Sequence, residues 1–125
     1  MSEKKITILI AEDDEINKIY ITKFLERKGY NTILASNGLE AVELCQKIKP
    51  DLILMDLGMP ILNGLEAAKR IRSIETSNTR TPIIALTAHV FQEDQKACEE
   101  AGMDDFITKP FDENDVLTKI KKHLK

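Results

Sequence analysis

The sequence has few cysteines and no long hydrophobic run, and both absences exclude classes of protein to which it could belong. Cys45 and Cys98 are the only cysteines among its 125 residues. They lie in helix-like segments without C-x-x-C or Cys/His spacing, so we expect buried small side chains instead of a disulfide or a metal site. No apolar run approaches the ~20 residues of a membrane-spanning helix, and the run 6–11 is too short for a signal-peptide core. A cytoplasmic protein without membrane insertion is expected.

The chain also lacks an excess of positive charge and any linker-like tract. Lysine and arginine number 18 against 21 aspartates and glutamates, a formal net charge of −3, so direct binding of nucleic acid is not expected. Stretches rich in proline, glycine or serine are absent. A length of 125 residues is typical of one domain, and the last predicted helix leaves no residues for an output domain. We therefore predict a single domain over residues 1–125.

The chain does contain an alternation of short aliphatic runs and longer segments whose apolar residues recur every three to four positions. This pattern is typical of repeated βα units, which form a parallel sheet. The predicted strands are 6–11, 32–35, 52–55, 83–86 and 106–108. The predicted helices are 15–28, 38–49, 64–74, 90–101 and a last one that begins after Asp112. The predicted fold class is therefore α/β, a five-stranded (βα)5 domain.

The sequence predicts the character of one face on the first helix and on the last helix. The first helix presents one apolar face, of the kind that packs on a core, formed by Ile16, Ile19, Tyr20 and Phe24. The last helix carries lysines that we interpret as a solvated face complementing the helix dipole, namely Lys119, Lys121, Lys122 and Lys125. His123 lies in the same stretch, has no partner spacing and receives no role.

Four of the predicted strands run directly into polar residues. These are Glu12, Asp13 and Asp14 after the first strand, Asp56 after the third, Thr87 after the fourth and Lys109 after the fifth. In open parallel sheets ligands bind outside the carboxyl ends of the strands, so these side chains should share one rim. Carboxylates gathered in a cleft repel one another unless a cation is supplied. Mg²⁺ prefers hard oxygen ligands, and Asp13 and Asp56 suit it.

A carboxylate in such a site has a further chemical role. Asp56 can act as a nucleophile toward a phosphoryl group, while the metal and the Lys109 ammonium stabilise charge on the phosphoryl oxygens. The Thr87 hydroxyl can donate a hydrogen bond to a phosphoryl oxygen, a contact that exists only in the modified state. Taken singly, Asp13 and Asp14 suit helix capping and Lys109 suits a solvated surface. Their joint placement favours a site.

Four segments resemble the signature segments of response-regulator receiver domains, namely Ile8 to Asp13, Leu54 to Pro60, Ala85 to Ala88 and Lys109 to Phe111. The resemblance covers essentially the whole chain and implies a doubly wound, flavodoxin-like fold with strand order 2-1-3-4-5. It implies a phosphorylation switch that receives its phosphoryl group from a histidine kinase or a histidine phosphotransfer protein and signals to a downstream protein target. Such a domain is no enzyme beyond its own Mg²⁺-dependent phosphorylation and slow dephosphorylation.

The resemblance also implies which residues accept the phosphoryl group and hold the metal. Asp56 is the phosphoacceptor. Mg²⁺ is held by Glu12, Asp13, Asp56 and the backbone carbonyl of Gly58. Glu12 departs from the family pattern, in which an aspartate is common at this position, so the metal affinity is expected to differ.

A second set of roles concerns the response to phosphorylation. The resemblance implies that Thr87 and Lys109 contact the phosphoryl group and that Phe106 is a rotating aromatic residue. Phosphorylation would draw Thr87 inward, and Phe106 would turn into the space behind it, which changes the surface of the fourth helix, fifth strand and fifth helix. Many relatives have tyrosine where this chain has Phe106, and the phenylalanine ring has no hydroxyl to hydrogen-bond. The resemblance further implies a cis peptide bond between Lys109 and Pro110.

Ala88 and His89, which follow Thr87, are predicted to tune the lifetime of the phosphorylated site. In the family that the chain resembles, the residue two positions after the phosphoacceptor and the residue two positions after the threonine flank the path of water to the phosphoryl group. Gly58 occupies the first of these positions and leaves the path open. We hypothesise that the lifetime of the phosphorylated state depends on His89, because an imidazole can orient water.

Three alternatives stay open beside a single-domain switch. The segments 87–89 and 101–106 look like receivers attached to hybrid histidine kinases, so the chain is also consistent with a fragment of such a kinase. A binding module that works without phosphorylation is expected to have lost a site residue, and none is lost here. A phosphohydrolase that forms an aspartyl phosphate requires a second aspartate two residues after the nucleophile, where this chain has Gly58.

Overall fold

A computed structural model describes residues 5–59, 61–75, 80–88 and 92–124, with the backbone alone for 92–94. Within these residues the strands are β1 (Thr7–Ala11), β2 (Asn31–Ala35), β3 (Leu52–Asp56), β4 (Ile83–Thr87) and β5 (Asp105–Thr108). The helices are α1 (Glu15–Arg27), α2 (Gly38–Ile48), α3 (Gly64–Ile74), α4 (Gln92–Glu100) and α5 (Glu113–His123). The predicted alternation is confirmed. The predicted start of the fourth helix at 90 lies outside the described residues.

The five strands form one parallel sheet in the order β2-β1-β3-β4-β5, which confirms the flavodoxin-like order. The register brings the carboxyl ends of the central strands level with one another. Ala11 lies opposite Met55, and Asp56 lies opposite Leu86. Because all strands run in the same direction, the polar residues that end or follow them lie along one edge of the sheet.

Helices cover both faces of the sheet, as a parallel sheet requires. α2, α3 and α4 pack on one face, and α1 and α5 pack on the other. β3 and β4 are buried at every position. Cys45 and Cys98 are buried in the first of these layers, as predicted for small core side chains. No helix in the described part of the chain is long and apolar enough to cross a membrane.

The predicted apolar face of α1 is wrong at three of its four residues. Ile16 is 78% exposed and Ile19 is 52% exposed, and Tyr20 is also exposed; only Phe24 is buried. The buried residues of the helix are Lys18, Ile21, Phe24 and Leu25. The error arises because α1 carries two apolar stripes with the same three- and four-residue spacing, and the periodicity of a helix does not decide which stripe meets the sheet.

Arg72 ties the end of α3 to the segments that precede β4 and β5. Its guanidinium donates to the carbonyls of Gly102 and Thr81, each at 2.8 Å. It also pairs with Glu75 at 2.7 Å and with Asp104 at 2.8 Å. These contacts hold together parts of the chain that are 30 and 32 residues apart. Sequence periodicity gave no sign of this cluster.

Candidate functional site

Four strand ends bring the predicted site residues to one edge of the sheet. Glu12 follows β1 and Asp56 ends β3, while Thr87 ends β4 and Lys109 follows β5. β3 lies between β1 and β4 in the sheet, so Asp56 is the central member of the group. The buried aliphatic strands hold the backbone, and the polar side chains come where each strand leaves the core. This arrangement agrees with the predicted shared rim.

The Lys109 ammonium lies between two carboxylates. Its Nζ atom is 3.0 Å from Glu12 Oε1 and 3.3 Å from Asp56 Oδ2. The Lys109 backbone N–H donates to the Thr87 carbonyl at 2.8 Å, which ties the residue to the end of β4. The peptide bond between Lys109 and Pro110 is cis, in agreement with the resemblance. Lys109 is therefore part of the acidic site and not a solvated surface residue.

Glu12, Asp13 and Asp56 form a compact carboxylate cluster. One oxygen atom of each lies within 4.8 Å of the oxygens of the other two. Glu12 is fully buried and Asp56 is 7% exposed, whereas Asp13 is exposed. Asp14 has a different role, because its side chain accepts from the Ile16 N–H and caps α1. The cluster thus has a buried floor and opens to solvent at Asp13.

Burial and crowding change the proton affinity of this cluster. The pKa of Glu12 is raised, first because burial removes water from its carboxylate and then because Asp56 lies beside it; Lys109 and the Asp14 N–H act in the opposite direction. The pKa of Lys109 is raised too, because contacts with Glu12 and Asp56 outweigh the lowering effect of burial. One ammonium faces three carboxylates, so an excess of negative charge remains at the site.

This donor set fits a hard divalent cation such as Mg²⁺. Glu12 Oε1 is buried and has no well-oriented hydrogen bond among the described residues, although Lys109 is within ion-pair distance. Carboxylate oxygens are the ligands that Mg²⁺ prefers, and it commonly combines one or two of them with waters. A cation at the cluster would also offset the repulsion between Glu12 and Asp56. The three carboxylates predicted to hold the metal are therefore suited to it in kind and in spacing.

Two glycines shape the loop that follows β3. The Gly58 N–H donates to Asp56 Oδ1 at 3.2 Å, which holds this turn against the carboxylate. A Cβ atom at Gly58 would meet nothing within 4 Å, in keeping with the open path predicted there. A Cβ atom at Gly64 would instead lie 2.2 Å from the Asp56 carbonyl oxygen. Gly64 thus lets α3 begin directly against Asp56, a role that its position after a loop asparagine did not reveal.

The residues assigned to the switch lie on neighbouring strands. Thr87 is buried at the end of β4, and Ala88 after it is exposed. Phe106 is partly buried, lies opposite Ala85 in the register, and packs against the α2–α3–α4 layer. Since alternate strand residues share a face, Thr87 and Ala85 face the same side as Phe106. His89, the other residue predicted to tune the site, lies outside the described residues.

Two interpretations of α5 need correction. The sequence indicates no partner for His123, yet its Nε2 lies 2.9 Å from Asp105 Oδ2. The sequence predicts a solvated face for Lys119, yet its side chain is only 22% exposed and its ammonium lies over the Phe106 ring. Helical spacing places both residues on one helix but does not indicate that β5 brings Asp105 and Phe106 beside them. Lys125 lies outside the described residues.

Comparison with protein families gives one match that spans most of the chain. The family model described as response regulator receiver domain matches residues 8–121. The polar-differentiation response regulator DivK of Brucella anthropi is 35% identical, and the match covers 94% of this chain and 95% of DivK. Hybrid signal transduction histidine kinase B of Dictyostelium discoideum is 42% identical over 98% of this chain. The chain spans only 7% of the length of that kinase.

Solved structures give the same picture. The receiver domain of sensor histidine kinase PA1611 from Pseudomonas aeruginosa, which has a magnesium ion coordinated in its active-site cleft, matches with a TM-score of 0.86 and 36% identity over 95% of this chain and 97% of that one. The receiver domain of Ssk1 from Saccharomyces cerevisiae, solved with the histidine phosphotransfer protein Ypd1, matches with a TM-score of 0.87 and 37% identity. That match covers 94% of this chain and 88% of the other.

Proposed function

The chain belongs to the response regulator receiver domain family, and on that premise we propose that Asp56 accepts a phosphoryl group from a histidine of a histidine kinase or a histidine phosphotransfer protein. Receiver domains are signalling modules of two-component systems. Asp56 is the central carboxylate of the acidic cluster, and it contacts Lys109 at 3.3 Å. The contact of Lys109 with both Asp56 and Glu12 is the observation that carries the proposal, because it joins residues from three strand ends in the arrangement that phosphoryl transfer needs.

Two positive charges would stabilise the negative charge on the phosphoryl oxygens. Glu12, Asp13, Asp56 and the backbone carbonyl of Gly58 would hold Mg²⁺, which when bound supplies positive charge that stabilises those oxygens. The magnesium ion in the related PA1611 receiver supports this assignment. The Lys109 ammonium is a second source of positive charge, because it already lies 3.3 Å from the Asp56 carboxylate.

The transfer itself exchanges one bond to phosphorus for another. An Asp56 oxygen forms a bond to phosphorus as the bond from phosphorus to the donor imidazole nitrogen breaks, and the imidazole leaves with the electron pair and takes up a proton. The low exposure of Asp56 restricts water at the new acyl phosphate, which favours a lasting signal over immediate hydrolysis. The open space at Gly58 and the side chain of His89, two residues after Thr87 in the sequence, then influence how fast water removes the group.

The signal is a change of surface at α4, β5 and α5. The Thr87 hydroxyl donates to a phosphoryl oxygen, which draws Thr87 inward and opens space for Phe106 on the same face of the sheet. Phe106 lies on the edge strand beside α4 and α5, so its rotation changes the contour that a downstream protein meets. A contact available only after phosphorylation is what shifts a two-state equilibrium.

The exposed face of α1 suits the protein donor. Ile16, Ile19 and Tyr20 are exposed on the helix that begins beside Asp13. Tyr20 stacks on Phe111, with 6.3 Å between ring centroids, which extends the apolar surface to the segment after β5. A donor that covered this surface would bring its histidine to the carboxyl ends of the strands, where Asp56 lies. The complex of Ypd1 with the related Ssk1 receiver supports a histidine phosphotransfer protein as one such donor.

Mass spectrometry of the intact protein tests the proposal. After incubation with acetyl phosphate and Mg²⁺ the protein should gain the mass of one phosphoryl group, and Asp56→Asn and a sample with excess EDTA should not. A gain that persists in Asp56→Asn would contradict the assignment of Asp56. No gain in the wild type, together with no binding of beryllofluoride, would favour a module that works without phosphorylation. Whether the domain acts alone or within a hybrid kinase does not alter this result.

A further inference from the structure

The Lys119 ammonium contacts two parts of Phe106 at once. Its Nζ atom lies 4.6 Å from the centroid of the Phe106 ring, and it also donates a hydrogen bond to the Phe106 carbonyl. One cation is therefore bound to both the side chain and the backbone of the residue proposed to rotate.

The contact joins the two helical layers around the edge of the sheet. Phe106 packs against the layer of α2, α3 and α4, whereas α5 packs in the opposite layer through Val116 and Ile120. β5 is an edge strand, so the Lys119 side chain passes around that edge to reach the ring. This path explains how a residue of α5 can contact a side chain that packs on the other face of the sheet.

Lys119 is held in this position by acidic residues on both elements. Its Nζ lies 3.7 Å from Asp105 Oδ1 on β5 and 3.8 Å from Asp115 Oδ2 on α5. Asp105 is itself fixed by the Phe106 N–H at 2.8 Å and by His123 at 2.9 Å. With its side chain 22% exposed, Lys119 is a positioned cation.

The identity of Phe106 makes this contact important. Phenylalanine has no hydroxyl, so hydrogen bonds cannot distinguish one ring orientation from another. A cation over the ring face is attracted by the ring quadrupole, and this attraction is lost when the ring turns away. Lys119 thus provides an interaction that depends on the orientation of the ring.

We propose that Lys119 is a positioning residue that holds Phe106 in its resting orientation and thereby opposes the activated state of the switch. This inference rests on the proposed function, since it assigns a control of the same switch. Removal of the ammonium should move the resting equilibrium toward the activated orientation. A partly desolvated cation–π contact corresponds to a roughly 3- to 10-fold change in that equilibrium.

The test is NMR of the full chain with ring-¹³C-labelled phenylalanine. The chain has four phenylalanines, and Phe106→Leu identifies the Phe106 signals. Wild type is compared with Lys119→Met and with Lys119→Arg, which keeps a cation and donors. Lys122→Met is the matched control, because Lys122 lies on the same helix, 3.8 Å from Asp105 Oδ2, and is 68% exposed.

In the ligand-free protein, Lys119→Met should move the Phe106 signals part of the way to their positions in wild type with beryllofluoride and Mg²⁺. It should also lower the half-saturating beryllofluoride concentration about 3- to 10-fold. In Lys119→Arg and in Lys122→Met the Phe106 signals should stay at their wild-type positions. If circular dichroism shows that Lys119→Met is unfolded, Lys119→Gln, which keeps a donor but no charge, takes its place.

Phe106 signals that coincide in ligand-free wild type and Lys119→Met would overturn the inference, and so would an equal shift in Lys122→Met. The proposed function fails differently, since wild-type Phe106 signals would then not respond to beryllofluoride and Mg²⁺. In that case the ligand-free comparison still decides whether Lys119 holds the ring.

Discussion

Single residues in this site are constrained to very different degrees by their surroundings. Gly58 and Gly64 both belong to the loop and helix start that follow β3, yet the first faces open space and the second touches the Asp56 backbone. Glu12 and Asp13 are adjacent in sequence, yet one is fully buried and the other exposed. The consequence of a substitution here therefore depends on packing more than on residue type.

Gly64→Ala should disturb both stability and phosphorylation. The new methyl group would lie 2.2 Å from the Asp56 carbonyl oxygen, and overpacking of this kind costs roughly 1–3 kcal/mol. Chemical denaturation should show the loss, and the rate of phosphorylation by acetyl phosphate should fall because Asp56 must shift. Gly58→Ala is the control and should retain wild-type stability. Equal stability of the two variants would contradict the close approach of α3 to Asp56.

Asp105 should make the folded state sensitive to acid. Burial acts to raise its pKa, but hydrogen bonds from His123 and the Phe106 N–H and the charges of Lys119 and Lys122 outweigh burial, so the pKa is lowered from 3.8. A carboxyl group with a lowered folded-state pKa stabilises the protein above its unfolded pKa, and this stabilisation is lost as pH falls through the folded value.

Denaturant titrations at several pH values test this effect of Asp105. Between about pH 5 and pH 3 the free energy of unfolding should fall more steeply in wild type than in Asp105→Asn, which cannot lose a charge. Parallel pH profiles for the two proteins would show that Asp105 is not stabilised by its charge in the folded state.

At the scale of secondary structure, side chains that join one element to another are expected to contribute strongly to stability. Lys18 on the buried face of α1 bonds to Ser36 Oγ at 3.0 Å and to Glu15 Oε1 at 3.1 Å, which joins α1 to the loop after β2. Arg72 joins α3 to the approaches of β4 and β5. Both are long cations whose positions in the sequence resemble those of solvated residues.

Arg72→Met should destabilise the protein much more than removal of an exposed ion pair. Arg72 is 14% exposed, and its loss removes a hydrogen-bond donor from the Gly102 carbonyl and breaks the partly buried ion pairs with Asp104 and Glu75, although Arg80 and the Ile83 N–H still contact Asp104. We expect a cost of roughly 2–4 kcal/mol. Lys69→Met removes an exposed pair with Glu66 from the same helix and should cost no more than about 0.5 kcal/mol. Thermal or chemical unfolding that ranked the two variants equally would contradict this role of Arg72.

At the scale of the whole molecule, the two proposed contact surfaces adjoin one another. The exposed face of α1 begins beside the acidic cluster and reaches Phe111 and Glu113 through Tyr20, whereas Phe106 packs against the layer of α2, α3 and α4 at the edge strand β5. The proposed donor and the proposed downstream target would thus contact neighbouring parts of one domain through different residues. Variants of α1 should then affect the donor without affecting the chemistry at Asp56.

Ile16→Ser should slow phosphorylation by a protein donor but not by acetyl phosphate. Ile16 is 78% exposed, so the substitution removes surface contact and not core packing, and loss of a central contact commonly weakens binding about tenfold. Transfer from phosphorylated Ypd1 and from acetyl phosphate would be measured side by side. Ile48→Ser is the control, because Ile48 is exposed at the end of α2, which packs on the face of the sheet opposite to α1. Slower reaction with both donors would indicate damage to the site itself.

The sequence by itself determined the βα alternation, the strand limits to within one residue at each end, and the polar residues at the strand ends. These features depend on hydrophobic periodicity and on neighbours along the chain, which a sequence displays directly. Resemblance added the strand order and the roles of the site residues, and the order and the proximity of Glu12, Asp56 and Lys109 agree with it.

Only the tertiary structure decided which stripe of α1 is buried, how closely Gly64 approaches Asp56, and which residues surround Phe106. Each of these depends on how separate elements pack against one another, and two of them join distant parts of the chain. Arg72 meets Asp104 across 32 residues, and Lys119 meets the Phe106 ring from the other side of the sheet. Helical spacing specifies which residues share a face, but tertiary packing decides which element that face contacts. Long lysine and arginine side chains also reach partners beyond their own face, and sequence periodicity does not indicate those contacts.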